Sequence, residues 1–241
     1  MRYHTITNQG GRPVNEDSIG VTEYGDLACF VVADGLGGHG KGEVASRLAV
    51  QAFDGVFSAP EEKPLTELLS DAFLRAQEDI LREQRNVGAA SQMKTTAVAL
   101  AIQNGKAVWG HIGDSRLYVF TKHRVKVRTL DHSVPQMLVL SGEIREKKIR
   151  QHPDRNRLLR VLGVAGDPPR FELSEPRPLD QIQAFLLCSD GFWELVTERE
   201  MGKLLRRFRT PEEWLDQMKA IVEKRGRGTD MDNYSAIAVI L

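Results

Sequence analysis

The segment Phe30-Val31-Val32-Ala33-Asp34-Gly35-Leu36-Gly37-Gly38-His39-Gly40-Lys41 joins an apolar run to a glycine-rich turn through a single carboxylate. Three readings are open. Gly35-x-Gly37-x-x-Gly40 has the spacing of a dinucleotide-binding loop, and Gly35-x-x-x-x-Gly40-Lys41 nearly completes a phosphate-binding loop; each wants a strand before it and a helix after. Asp34 opposes both, because a carboxylate just ahead of the first glycine repels the phosphates that a helix N-terminus attracts. A divalent cation on Asp34 reverses that sign and makes the turn a metal-assisted phosphate site. The choice depends on whether other acids converge on Asp34.

Working outward, Val14 to Val21 and Leu27 to Ala33 flank Tyr24-Gly25-Asp26 and read as an antiparallel hairpin. A turn centred near Gly25 sets residue 16 opposite residue 34 and residue 17 opposite residue 33, so Glu16 and Asp17 neighbour Asp34. Carboxylates this close raise one another's pKa unless a cation neutralises them. Gly35, lacking a Cβ, lets its own carbonyl approach an ion or its water shell. Leu186-Leu187-Cys188-Ser189-Asp190-Gly191 repeats the strand-Asp-Gly form, Asp232-Asn233 precedes the strand Ser235 to Leu241, and Gly113-Asp114-Ser115-Arg116 follows another strand. Oxygen donors without His or Cys select Mg²⁺ or Mn²⁺ over zinc. Arg12 either pairs with Glu16 or Asp17 on the surface or grips a phosphoryl group bidentately. His39 is either an exposed loop histidine or a general acid. His111 and Trp193 read as core, and the basic runs Arg145 to Arg150 and Lys203 to Arg209 as solvated helix faces.

The remaining pattern sets the fold class. Glu43 to Phe57 and Leu65 to Leu81 carry apolar residues at helical spacing, as do Thr197 to Phe208 and Pro211 to Lys224. Thr95 to Ile102 and Ala107 to Ile112 form a hairpin around Asn104-Gly105, and Leu117 to Phe120 with Val125 to Thr129 form another. Short charged helical pieces over residues 131–165 read as a small flap. Strands first, helices next and then both in alternation indicate a layered α+β protein, expected as a single domain over residues 1–241, and not a doubly wound parallel sheet. With 33 basic and 33 acidic side chains in 241 residues, the chain carries no net field, which argues against nucleic-acid or anionic-membrane binding. Met1 to Gly10 lacks a signal-peptide core, and no run approaches the roughly 18 residues of a membrane span, so a cytoplasmic protein without membrane insertion is expected. A monomer is expected, though no residue pattern speaks to oligomeric state. Cys29 and Cys188 lie in apolar runs and read as reduced, buried thiols.

The order of these pieces resembles the metal-dependent protein phosphatases, the type 2C serine/threonine phosphatases, in their compact bacterial form. The matching segments are Arg12-Pro13-Val14-Asn15-Glu16-Asp17-Ser18, Val32-Ala33-Asp34-Gly35-Leu36-Gly37-Gly38, Gly42-Glu43-Val44-Ala45-Ser46, Gly113-Asp114-Ser115-Arg116-Leu117-Tyr118, Thr129-Leu130-Asp131-His132-Ser133, Ser189-Asp190-Gly191-Phe192-Trp193 and Asp232-Asn233-Tyr234-Ser235. The resemblance implies a four-layer αββα sandwich, two mostly antiparallel sheets flanked by helix pairs. It implies two bridged ions, with Asp34 contacting both, Asp17 and the Gly35 carbonyl serving one through water, Asp190 and Asp232 holding the other, and Asp114 helping to bind a looser third. Arg12 would grip the phosphoryl oxygens, and a hydroxide bridging the ions would attack phosphorus without a phosphoenzyme. Eukaryotic members often carry His directly after the Asp-Gly pair where this chain has Leu36, so a water on the third ion, and then His39, become the candidate proton donors. The run from Ser133 to Leu159 resembles members encoded with type VI secretion systems, suggesting a phosphothreonine on a forkhead-associated scaffold, opposed by a membrane-bound kinase, as the phosphoprotein substrate. Two rivals remain at this point: a P-loop or Rossmann nucleotide binder with Asp54 as the ribose acid, and a catalytically inactive phosphatase-like binding module.

Overall fold

The computed structural model describes residues 1–36, 41–89 and 92–241. In chain order its elements are β1 (Arg2–Asn8), β2 (Asp17–Tyr24), β3 (Leu27–Leu36), α1 (Lys41–Phe57), α2 (Leu65–Asn86), β4 (Lys94–Thr95), β5 (Ala97–Gln103), β6 (Lys106–Ile112), β7 (Arg116–Thr121), β8 (Arg124–Arg128) and α3 (Val134–Leu140). A 3-10 turn over Glu146–Gln151 follows, then β9 (Glu172–Leu173), β10 (Arg177–Pro178), β11 (Ala184–Cys188), α4 (Asp190–Trp193), α5 (Glu198–Arg207), α6 (Pro211–Gly226) and β12 (Tyr234–Ile240). One sheet runs β1-β12-β11-β7-β8; the other runs β10-β6-β5-β3-β2, with β4 on β3 and β9 on β6. Every named strand pair is antiparallel. This removes the parallel sheet that a Rossmann or P-loop reading requires. Asp54, the expected ribose acid, lies on α1 and accepts a hydrogen bond from Thr22 Oγ1 at 2.8 Å.

Alternation along the strands explains the layering. Leu27, Cys29, Val31 and Ala33 of β3 face the core beneath α1 and α2, while Ala28, Phe30 and Val32 face the core between the sheets. Burial on both faces is why this strand is a continuous apolar run. On the other sheet Leu186 and Cys188 of β11 pack against the α5 and α6 layer, and Phe185 and Leu187 point inward. Two sheets flanked by helix pairs thus make the four-layer αββα arrangement. Among the described residues no helix is long and apolar enough to cross a membrane. Cys29 and Cys188 are free and buried.

The hairpin differs from expectation by one residue. Its turn is the two-residue Gly25-Asp26 between the pair Tyr24↔Leu27, so Asp17 faces Asp34 and Ser18 faces Ala33. Asp17, not Glu16, is the direct cross-strand partner of Asp34. Strand β1, polar and half exposed, carries no apolar periodicity and was not anticipated. Arg150 also departs from the solvated-face reading: its guanidinium lies 5.5 Å from the Trp193 ring and donates to Val196 O and Glu198. His111 and Trp193 are buried as expected.

Candidate active site

Side chains at even positions of β3 point between the sheets, so Asp34 projects where the apolar inter-sheet core gives way to a cleft of about 630 Å³. Asp17 opens β2 on the same face, and Asp114, Asp190 and Asp232 arrive from the β6–β7 loop, the start of α4 and the residues before β12. Backbone bonds fix Asp34: its carbonyl accepts from Thr95 Oγ1 at 2.8 Å and Thr96 N at 2.9 Å, and its N–H donates to Thr96 Oγ1 at 3.2 Å. Gly35 cannot be replaced without movement, because a Cβ would lie 2.3 Å from Gly42 O and 2.6 Å from Glu16 O where β3 passes the first turn of α1.

The carboxylates are short of positive partners. Asp17 accepts from Ser189 Oγ at 2.8 Å through Oδ2, but its Oδ1 is buried with no hydrogen-bond partner. Burial, reinforced by the charge of Asp190 and Asp232, raises Asp17 to about 7. Burial raises Asp34 well above the ordinary carboxylate range, with Asp17, Asp190, Asp114 and Asp232 adding repulsion. Asp114 is raised well above that range for the same reasons, chiefly burial and then Asp190. Asp190 rises to about 6 through burial and the charge of Asp232, less a hydrogen bond shared with Asp34. Deprotonated oxygens packed this way demand cations, and an orphaned buried carboxylate oxygen beside other oxygen donors suits a hard divalent ion.

Arg12 stands at the rim in the structure, donating from Nε and Nη2 to Asp232 at 3.1 Å each and from Nη1 to Asp230 at 3.3 Å. Glu16 lines the cleft, yet its carboxylate takes a hydrogen bond from the Gly42 backbone at the start of α1, and burial raises its pKa. His39 lies outside the described residues. Three residues that sequence reasoning gave no part also line the cleft: Asn156 and Leu158 from the segment after the 3-10 turn, and Asn233. Asn233 ties the site together, accepting from Glu16 N and donating to Gln9 O and Val14 O. No periodicity marks Asn156 or Leu158; only the fold brings them over the acids.

A second group of ligand types, His111, His132 and Glu172, lies beside the Asp114 loop. Three of its four ring nitrogens already have partners. His132 Nδ1 accepts from Gly113 N at 3.1 Å and Nε2 faces Glu172 at 3.1 Å, while His111 Nε2 faces the Leu130 carbonyl at 2.7 Å. With both ring nitrogens engaged, His132 braces Gly113 and offers no lone pair to a metal.

Known proteins arrange a chain in the same way. The family model described as protein phosphatase 2C matches residues 8–232. The chain belongs to the protein phosphatase 2C family. Serine/threonine phosphatase stp of Listeria monocytogenes serovar 1/2a is 35% identical over 214 residues, covering 84% of this chain and 81% of that one. Stp1 from Staphylococcus aureus, a serine/threonine phosphatase of solved structure, superposes with a TM-score of 0.88 at 26% identity over 99% of this chain and 94% of its own. The catalytic domain of the phosphatase PstP, solved in complex with two manganese ions, gives a TM-score of 0.80 at 26% identity over 100% and 98% of the two chains. Membership of the protein phosphatase 2C family removes the nucleotide-binding rival and agrees with the all-oxygen character of the cleft.

Proposed function

We infer that this metal-dependent serine/threonine protein phosphatase hydrolyses phosphoserine and phosphothreonine in proteins at the cleft where Asp17, Asp34, Asp114, Asp190 and Asp232 meet. The observation that supports this reading is the convergence, from separate chain segments, of buried and half-buried carboxylates whose mutual repulsion and burial outweigh the cations near them, Arg12 on Asp232, Arg116 toward Asp114 and Arg155 toward Asp190. Asp34 with Asp17 and the Gly35 carbonyl would hold one Mn²⁺ or Mg²⁺, and Asp34 with Asp190 and Asp232 a second; Asp114 with Asp190 would serve a third. When bound, such ions supply an acidified water and offset charge on the phosphoryl oxygens. Glu16, committed to the start of α1, falls outside this set.

Arg12 then has two partners to choose between. Its Nε and Nη2 fork holds Asp232, and with a cation held by that aspartate the same planar fork would be available to two phosphoryl oxygens. The water oxygen bonds to phosphorus as the bond to the serine or threonine oxygen breaks, and that oxygen needs a proton. Leu36 offers none, so solvent held near Asp114 supplies it, with His39 as the second candidate; loss of turnover in His39→Ala with Asp114→Ala unaffected reverses that order. We read the chain as one catalytic domain with a flap over residues 131–165, acting in the cytoplasm as a monomer. The sequence of that flap supports a phosphothreonine on a forkhead-associated scaffold as substrate, and recovery of only unrelated phosphoproteins in a pull-down overturns this. The function itself is tested by phosphate release from p-nitrophenyl phosphate and a phosphothreonine peptide: release that depends on Mn²⁺ and stops with EDTA is expected, and release insensitive to both overturns the reading.

A further inference from the structure

At the edge formed by β8 in one sheet and β10 with β6 in the other, the sheets part and leave a groove of about 960 Å³. Its floor is the margin of the inter-sheet core: Trp109, Val119 and Ile182, with Val127 left 37% exposed. Exposed cations line its rim, Lys122, Arg124, Lys126 and Arg177, against the single carboxylate of Asp180. None of the four enters an ion pair among the described residues. In a chain with equal numbers of acidic and basic residues this excess is local. Strands β6 and β7 connect the two sites. Ile112 and Arg116 stand at the cleft end and Lys106 and Thr121 at the groove end, so the strand rise separates them by roughly 17–20 Å.

We propose that this groove docks an extended acidic segment of the phosphoprotein substrate, about six or more residues away from the phosphorylated side chain. An apolar floor under a cationic rim suits a chain that alternates apolar and acidic residues, since an extended backbone turns successive side chains to opposite faces. Among the described residues no strand pairs with the outer side of β8, the last strand of its sheet. Charge complementarity selects the acidic peptide over a neutral one and makes binding sensitive to salt. The proposal rests on the phosphatase reading of the cleft.

Two phosphothreonine peptides test it, one short and one carrying the segment Glu-Val-Glu-Val-Glu beyond a neutral spacer of six to eight residues, on either side of the phosphothreonine. With Mn²⁺ present, the extended peptide in one of the two directions should show a KM about tenfold lower at equal kcat. The combined variant Arg124→Glu, Lys126→Glu, Arg177→Glu should lose that advantage while hydrolysing p-nitrophenyl phosphate at the unchanged rate, with an unchanged Tm. Anisotropy of the fluorescein-labelled acidic segment without phosphate, in EDTA, should report binding that weakens with salt and vanishes in the variant. Equal KM for all peptides, or an advantage that survives in the variant, overturns the proposal. Preferential loss of binding to single-stranded RNA or phosphatidylserine vesicles in the variant, with peptide binding intact, overturns it in favour of those partners. Failure to hydrolyse even the short peptide sinks the phosphatase reading instead, and the anisotropy arm still decides the groove.

Discussion

Two sets of buried charges lie side by side in this protein and differ in how they are balanced. Arg116 and Asp131, 2% and 1% exposed, meet in a bidentate pair at 2.8 and 2.6 Å. Arg128 adds a contact to Asp131 at 3.3 Å, and the Arg116 guanidinium stacks 3.3 Å from the centroid of Trp193. The charges that act on Asp34 are carboxylates, Asp17, Asp190, Asp114 and Asp232, and among the described residues the one cation bonded to any of these is Arg12, on Asp232 at the rim. A buried pair with its hydrogen bonds complete is architecture, whereas buried like charges with an orphaned oxygen are a site that waits for cations.

The largest effect expected from this contrast is opposite behaviour on truncation. Asp34→Asn should reduce turnover of a phosphopeptide by about 10³-fold or more, since it touches both proposed ions, yet raise the Tm of the EDTA-treated protein by removing a carboxyl group whose ionised form the fold disfavours. Asp131→Ala should cost about 3–5 kcal/mol of stability, with or without Mn²⁺, because it strands a buried guanidinium. Thermal melts of both variants in EDTA and in Mn²⁺ check the contrast; a metal-free Asp34→Asn protein that melts as low as Asp131→Ala breaks it.

Titration gives the next effect. The pKa of Asp17 at about 7 and of Asp190 at about 6 in the folded chain lie above unfolded values near 4. Between these limits the folded chain binds more protons, so its stability is full at low pH and is lost as pH rises through the folded pKa values. The metal-free protein should therefore melt at progressively lower temperature from pH 5 to pH 8, by an amount on the order of a few kcal/mol in stability. Saturating Mn²⁺, which binds the deprotonated oxygens, should flatten or invert that trend. A pH-independent Tm in EDTA would mean that these acids are already compensated.

A smaller effect falls on substrate grip. Arg12→Lys keeps the charge but not the planar fork, so KM for a phosphothreonine peptide should rise roughly tenfold with less change in kcat. An unchanged KM in steady-state assays would leave Arg12 as a partner of Asp232 alone.

How much of this was legible in the chain depended on whether the signal was local. Strand β3 and helix α1 declare themselves by periodicity, and the Asp-Gly pairs at strand ends mark the acids, because such residues are needed wherever a strand stops at a ligand. The hairpin was legible but its register was not: a two-residue turn and a three-residue turn differ by one position, and only the pair Tyr24↔Leu27 decides that Asp17 faces Asp34. Arg116 and Asp131 stand in two of the matching segments, but their pairing spans a strand hairpin and its loop, so nothing in the residue order joins them. Asn156 and Leu158 reach the cleft through a segment with no regular structure, where nothing in the residue order predicts a direction.

Trp193 touches both charge sets and gives the finest test of the contrast. Its Nε1 donates to Asp114 O at 3.0 Å while its ring carries Arg116, so the balanced pair helps to hold an acid of the unbalanced cluster. Trp193→Phe keeps an aromatic face for the guanidinium but leaves the Asp114 carbonyl without its donor, which should cost about 1–3 kcal/mol. If the bond also positions Asp114, half-maximal activity should need a several-fold higher Mn²⁺ concentration, with KM for the phosphopeptide unchanged. Arg116→Lys, which weakens the pair and the stacking but not the indole N–H, should lower the Tm without moving that Mn²⁺ requirement. A shift of the Mn²⁺ requirement in both variants, in proportion to their loss of stability, would mean that the two regions are one cooperative unit and that the indole bond holds Asp114 no more than the rest of the core does.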